Sequence, residues 1–130
     1  MKVLLATLAL CLTLNAQERF KSGLWQLTSA GGDNPGTTTV CMAPVSTSPV
    51  NGPPASVRAN AEKSAAANGM KITSYSFDGT TVSMTMTSGS NIFTSKASYR
   101  GDTYENTIVS KSLGRETIKT IKGKRVGPCP

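Results

Sequence analysis

Residues 71–87, KITSYSFDGTTVSMTMT, decide the fold, because apolar and polar side chains alternate on both sides of a turn signal. Alternation with a period of two is typical of β-strands that bury one face. The dipeptide Asp78-Gly79 between the two runs predicts a type I′ hairpin turn, in which both residues have positive φ. The stretch therefore predicts an antiparallel hairpin, whose inward side chains include Tyr75, Phe77, Val82, Met84 and Met86.

Three more strands are predicted after this hairpin, because the same alternation continues. They cover residues 92–99, 104–111 and 115–126. Short turn signals that contain glycine separate the strands, at residues 88–90, 100–102 and 113–114. Turns this short join neighbouring antiparallel strands, so residues 71–126 predict a meander of five strands.

The chain before residue 71 predicts two strands and one helix. Residues 20–28 and 37–42 are strand candidates, while residues 30–36 and 45–54 have the composition of loops. Residues 55–68 are rich in alanine, lack glycine and proline, and are followed by a glycine that favours a helix end. The pattern predicts an α+β, mainly β fold, in which a curved antiparallel sheet packs around one helix.

The predicted helix has a thin apolar face, formed by Val57, Ala61 and Ala65 at every fourth residue. Such small side chains let a helix lie close to a sheet, but they remove little apolar surface from water. The methionines of the central hairpin have two interpretations, since methionine both fills irregular cores and forms adaptable ligand surfaces. Packing in a core is the favoured interpretation for the apolar stripe formed by Val82, Met84 and Met86.

Residues 1–16 have the layout of a secretory signal peptide. Lys2 precedes a short apolar run, and the chain becomes polar from Asn15 onward. We expect cleavage after Ala16, which leaves residues 17–130 as a single β-rich domain. No second apolar stretch predicts a membrane anchor, so we expect a periplasmic or secreted basic protein, with a net charge of +7 for the full sequence.

Removal of the signal peptide takes away Cys11 and leaves two cysteines, Cys41 and Cys129. Paired cysteines in an exported chain usually form a disulfide. Two free thiols or a shared metal ion are the alternatives. A zinc site is not favoured, because structural zinc takes four ligands and the chain has no histidine.

Several short motifs resemble the exported bacterial proteins of the domain of unknown function 3617 family. They are Gly23-Leu24-Trp25, the Cys41 strand followed by Pro44, residues 101–105 and residues 123–129, in that order. The resemblance covers about residues 20–130 and implies export in Gram-negative bacteria, without an established activity. Members commonly have four cysteines, and the inner two would fall near Met70 and Ser88. Their joint absence implies, through the resemblance, that Cys41 bonds to Cys129.

The composition argues against common catalytic arrangements. Without histidine, neither a Ser-His-Asp triad nor a Cys-His pair can form. Asp102 and Glu105 are a possible carboxylate pair, but turn chemistry alone accounts for Asp102. We therefore expect no catalytic residues, no metal site and no cofactor.

Basic residues near the end of the chain have two interpretations. One is an anion-binding patch for lipopolysaccharide, phospholipid head groups or nucleic acid, formed by Lys119, Lys122, Lys124 and Arg125. The other, which we favour, is a solvated edge strand whose lysines prevent unwanted strand pairing. Nucleic acid is the least favoured partner, because aromatic residues do not interleave with these charges.

These observations predict a small periplasmic module that binds a ligand or an envelope component without catalysis. The alternative is a carrier that holds a lipid or another apolar ligand in a groove between the sheet and the helix. The sequence names neither the ligand nor the partner.

Overall fold

The computed structural model describes residues 18–130, and the predicted signal peptide lies outside this range. Seven antiparallel strands form one sheet in the order β2-β1-β7-β6-β5-β4-β3. The strands are β1 (Gly23–Gly31), β2 (Gly36–Met42), β3 (Lys71–Phe77), β4 (Thr81–Ser88), β5 (Asn91–Tyr99), β6 (Thr103–Ser112) and β7 (Arg115–Gly127). Between β2 and β3 lie α1 (Pro44–Thr47), a 3-10 turn (Ser48–Val50) and α2 (Pro54–Ala67).

The predicted architecture is confirmed: a mainly β, α+β fold in which strands β3–β7 form the five-strand meander. The N-terminal hairpin completes the sheet, because β1 pairs with β7 as well as with β2. The sheet is open, with β2 and β3 at its two edges. Within residues 18–130, no helix has the length and apolar character needed to cross a membrane.

The sheet has an inner face, on which α2 lies, and an opposite outer face. The strand registers place Trp25, Val82 and Ala97 on the inner face, where all three side chains are buried. The outer face of the central strands is dominated by threonine, serine and lysine. Because side chains alternate along a strand, one face supplies the core and the other meets solvent.

Two turn predictions have different outcomes. Leu113 and Gly114 connect β6 to β7 and both have positive φ, as a type I′ turn requires. The predicted Asp78-Gly79 turn is wrong by one residue, since Gly79 and Thr80 are the connecting pair and Asp78 lacks positive φ. The Asp78 carboxylate instead accepts hydrogen bonds from the backbone N–H groups of Thr81 and Thr80, and these bonds lower its pKa.

Two predicted loops are partly regular structure. Strand β1 continues to Gly31, so the loop predicted over residues 30–36 is shorter than expected. The β1 ladder extends because β7 is long enough to pair with Gly31 through Lys119. The connection predicted over residues 45–54 contains α1 and the 3-10 turn, which begin at or next to prolines.

The segment that precedes β1 is tied to the β5–β6 turn. Phe20 forms a parallel bridge with Gly101, and the N–H of Gly101 donates to the carbonyl of Arg19 at 2.6 Å. On its other side, Phe20 exchanges two hydrogen bonds with the Asn51 side-chain amide, at 2.8 and 2.9 Å. The segment therefore links the sheet to the helical connection.

The Arg19 side chain strengthens the same link. Its guanidinium donates to the carbonyls of Gly79, Val50 and Gly52 at distances of 2.7 to 3.1 Å. It also lies 4.9 Å from the centre of the Phe77 ring. One side chain thus joins the β3–β4 turn to the segment that leads into α2.

The disulfide between Cys41 and Cys129 is present, with a Cα–Cα distance of 5.4 Å and 88 residues of sequence separation. Cys41 lies on the edge strand β2, and Cys129 follows β7. Because β1 lies between these two strands, the bond spans three strands at one end of the sheet.

Candidate functional site

An apolar cavity of about 310 Å³ lies between α2 and the inner face of strands β4–β6. It exists because α2 presents small side chains to the sheet: Val57 and Ala65 are its buried residues, and Ala61 is half-buried. The methionines opposite them do not fill the space. The lining comprises Pro49, Val50, Val57, Asn60, Ala61, Ser64, Ala65, Met70, Val82, Met84, Met86, Ser95, Ala97, Tyr99 and Asn106.

The predicted Met84 and Met86 stripe lies on this lining, and both side chains are half-buried. Val82, the third member of the stripe, is buried in the core. Val82 is buried, as the interpretation by core packing expects, although it also borders the cavity, whereas the two methionines are half-buried beside open space. Their unbranched side chains can adjust to a guest molecule at little cost.

A buried polar pair lies in the sheet side of the cavity. The Ser95 hydroxyl donates a hydrogen bond to Oδ1 of Asn106 at 3.0 Å. These residues are only 7% and 9% exposed, although their neighbours on the inner face are mainly apolar. Polar groups are costly to bury without partners, and these two side chains are partners of each other. They are also the buried polar groups that give an otherwise apolar cavity hydrogen-bonding capacity.

An aromatic cluster closes one end of the inner face. The Phe20 ring lies 4.9 Å from Trp25, 5.4 Å from Tyr99 and 5.5 Å from Tyr104, measured between ring centres. Trp25 is fully buried and donates a hydrogen bond to the carbonyl of Lys21 at 2.9 Å. Burial raises the pKa of both tyrosines above the ordinary value near 10.

The cavity contains no ionisable group other than the Tyr99 phenol among its described lining residues. Asp102 and Glu105, the candidate carboxylate pair, do not meet there. Asp102 lies at a turn and forms an ion pair with Lys21 at 3.1 Å, while Glu105 lies on the outer face opposite Lys122. Within residues 18–130, no three His, Cys, Asp or Glu side chains come together as metal ligands.

The strand structure divides the predicted basic patch between two faces. Lys122 and Lys124 lie on the outer face, whereas Lys119 and Arg125 lie on the inner face. Arg125 is engaged within the fold, since its Nε donates to the carbonyl of Ser22 at 2.7 Å. The explanation by an edge strand is wrong, because β7 pairs with β1 on one side and β6 on the other.

The Ser95–Asn106 pair is not predicted by the sequence pattern. The available signal was a lone serine on the apolar face of β5, between Phe93 and Ala97. Its partner lies on β6, where Asn106 occupies a position that faces the same side. A pattern of alternation shows each polar residue separately, but it does not show that the two are hydrogen-bonded.

No family model matches the chain, and the comparisons with curated proteins and with solved structures give no match. Membership of the domain of unknown function 3617 family stays a prediction from the sequence motifs. The candidate site is therefore defined by its own geometry, which is a cavity lined by three methionines, Met70, Met84 and Met86, and by one buried polar pair.

Proposed function

We propose that this protein is an exported, periplasmic binding protein that holds an apolar ligand between α2 and the sheet. The cavity under α2 is the observation that carries the proposal. A volume of about 310 Å³ is at the lower end of the range found for small-molecule sites, about 300–1,000 Å³. The groove favours the carrier interpretation over an envelope module without a cavity, and the proposed activity is binding without catalysis.

The chemistry of the lining supports an apolar ligand. Burial of a charged ligand would require a countercharge, and the described lining supplies no Lys, Arg, Asp or Glu. Alanines from α2 leave the space, while Met84 and Met86 shape its other wall. The disulfide fits an oxidising compartment, which supports the periplasmic part of the proposal.

Protein recovered from the periplasmic fraction tests compartment and cargo together. We expect native mass spectrometry to give the mass of residues 17–130 with one disulfide, plus the mass of an apolar molecule that organic solvent removes. A protein found only in the cytoplasm contradicts the proposed compartment. Protein that carries no cargo and does not bind the uncharged dye Nile red contradicts the proposed binding function.

Filling the cavity with a larger side chain tests whether the ligand binds there. Ala61→Phe places a ring in the lining, and we expect it to reduce Nile red binding at least tenfold. Ala59→Phe is the control, because Ala59 is an exposed residue of the same helix outside the lining. Thermal unfolding of both variants checks that they fold. Equal dye affinity in the two folded variants contradicts the cavity as the binding site.

A further inference from the structure

The apolar surface of the cavity continues across the sheet toward a lysine. The strand registers define one row of inner-face residues that crosses the sheet. It comprises Tyr75, Met84, Ser95, Ile108, Lys119 and Gly31. Ile108 follows Ser95 directly, and Ile121 follows Asn106 in the neighbouring row. Lys119 is two strands from Ser95, about 10 Å at the usual strand spacing.

The charge on this face has one sign. The inner face of the described strands carries Arg115, Lys119 and Arg125, whereas the only acidic strand residues, Glu105 and Glu116, are on the outer face. Arg125 is held by the Ser22 carbonyl, and Arg115 lies at the tip of the β6–β7 hairpin. Among the strand residues, Lys119 is therefore the inner-face cation nearest to the cavity by register. Arg58 of α2 lies over the Tyr75 ring, but it is paired with Glu62.

The Lys119 ammonium is available to a ligand. It forms no ion pair within residues 18–130, where the three salt bridges involve Lys21, Arg58 and Lys111. A methyl group built on Gly32 would lie 3.3 Å from Cδ of Lys119, so the lysine stem lies close to the β1–β2 turn. Such a stem covers apolar surface while the charged end stays in solvent.

We propose that the ligand is an anionic amphiphile with a single alkyl chain. This inference rests on the proposed binding function. The chain occupies the cavity between α2 and the methionines, continues over Ile108, and ends with its anionic head group at Lys119. The size of the cavity suits one chain better than two, and the exclusively positive strand residues of the inner face favour an anion.

Two probes that differ only in the head group test the inference: myristate and myristyl alcohol, each measured by displacement of Nile red. We expect myristate to bind the native protein more tightly than the alcohol at low salt, and to lose this advantage in high salt. Lys119→Met should weaken myristate binding about two- to fivefold, the range of an exposed ion pair, without weakening alcohol binding. Lys119→Gln should have the same effect.

The matched control is Lys122→Met, because Lys122 lies on the same strand but on the outer face. It should leave both affinities unchanged. If both probes bind equally to the native protein, the inference is overturned while the binding function stands. The same holds if Lys119→Met and Lys122→Met lose myristate affinity equally. If neither probe displaces Nile red and neither binds directly, the inference is overturned, whereas the proposed binding function fails only if the protein also carries no cargo and does not bind Nile red.

Discussion

Gly123 shows how one position controls the packing of the inner face. It is a buried residue of β7, and its backbone does not have positive φ. A Cβ atom at this position would lie 2.9 Å from Cδ2 of Leu27 and 3.2 Å from Cε3 of Trp25. Glycine is therefore required for close approach of the tryptophan ring to the strand, not for an unusual backbone conformation.

We expect Gly123→Ala to reduce the free energy of unfolding by about 1–3 kcal/mol, the usual cost of an overpacked core. Gly127→Ala is the matched control on the same strand, since a Cβ atom there meets nothing within 4 Å. Urea denaturation followed by Trp25 fluorescence measures both. Equal stabilities of the two variants would show that the sheet accommodates the methyl group without strain.

Residue-scale prediction succeeded where the pattern is local. Alternation alone indicated that Val82, Met84 and Met86 share the inner face, because side-chain direction in a strand depends only on sequence parity. The contacts of Arg19 and Asn51 were beyond this kind of reasoning. Both side chains form hydrogen bonds with backbone groups tens of residues away, and no short-range sequence signal identifies such partners.

Strand β7 illustrates the limit of prediction from sequence at the scale of elements. Its sequence predicted a strand, and its bounds are close to those expected. Its lysines favoured an edge position, yet β7 is an interior strand. The basic side chains are tolerated there because neither face of this strand is fully covered, and the ends of long side chains reach solvent. Sheet order depends on pairing between distant segments, which residue composition does not encode.

We expect strand β2 to depend on the disulfide more than the other strands do. It is an edge strand, nearly all of its residues are exposed, and its only strand neighbour is β1. The double variant Cys41→Ser, Cys129→Ser should lower the free energy of unfolding by about 4–5 kcal/mol in the chain-entropy model. Hydrogen exchange should accelerate more in β2 than in β5. Uniform acceleration would contradict a specific role for the bond at this edge.

At the scale of the whole molecule, the aromatic cluster couples parts that are far apart in sequence. Phe20, Trp25, Tyr99 and Tyr104 come from the N-terminal segment, β1, β5 and β6. The sequence predicted these strands but not their convergence, since the bridge with Gly101 and the hydrogen bonds with Asn51 place Phe20 beside the tyrosines. The small residues of the helix and the methionines of the central hairpin indicate the alternative of a groove between helix and sheet, but its size depends on how closely α2 approaches the sheet.

The buried tyrosines predict a loss of stability at alkaline pH. Burial raises the pKa of Tyr99 and Tyr104 in the folded state above their ordinary value near 10. The stabilisation is complete below about pH 10 and is lost as the pH rises toward the folded-state values, because unfolding then releases protons. Denaturation midpoints should therefore fall above about pH 10. Tyr99→Phe should make this fall shallower, and identical pH profiles for the variant and the native protein would contradict the assignment.

The position of β1 between β2 and β7 also sets the order in which the molecule can be completed. A nascent chain that has reached residue 114 contains the β1–β2 hairpin and strands β3–β6. No strand of the hairpin pairs with any of strands β3–β6. They become one sheet only after β7 has been synthesised. Folding of the complete domain is thus postponed until its last strand has been translated.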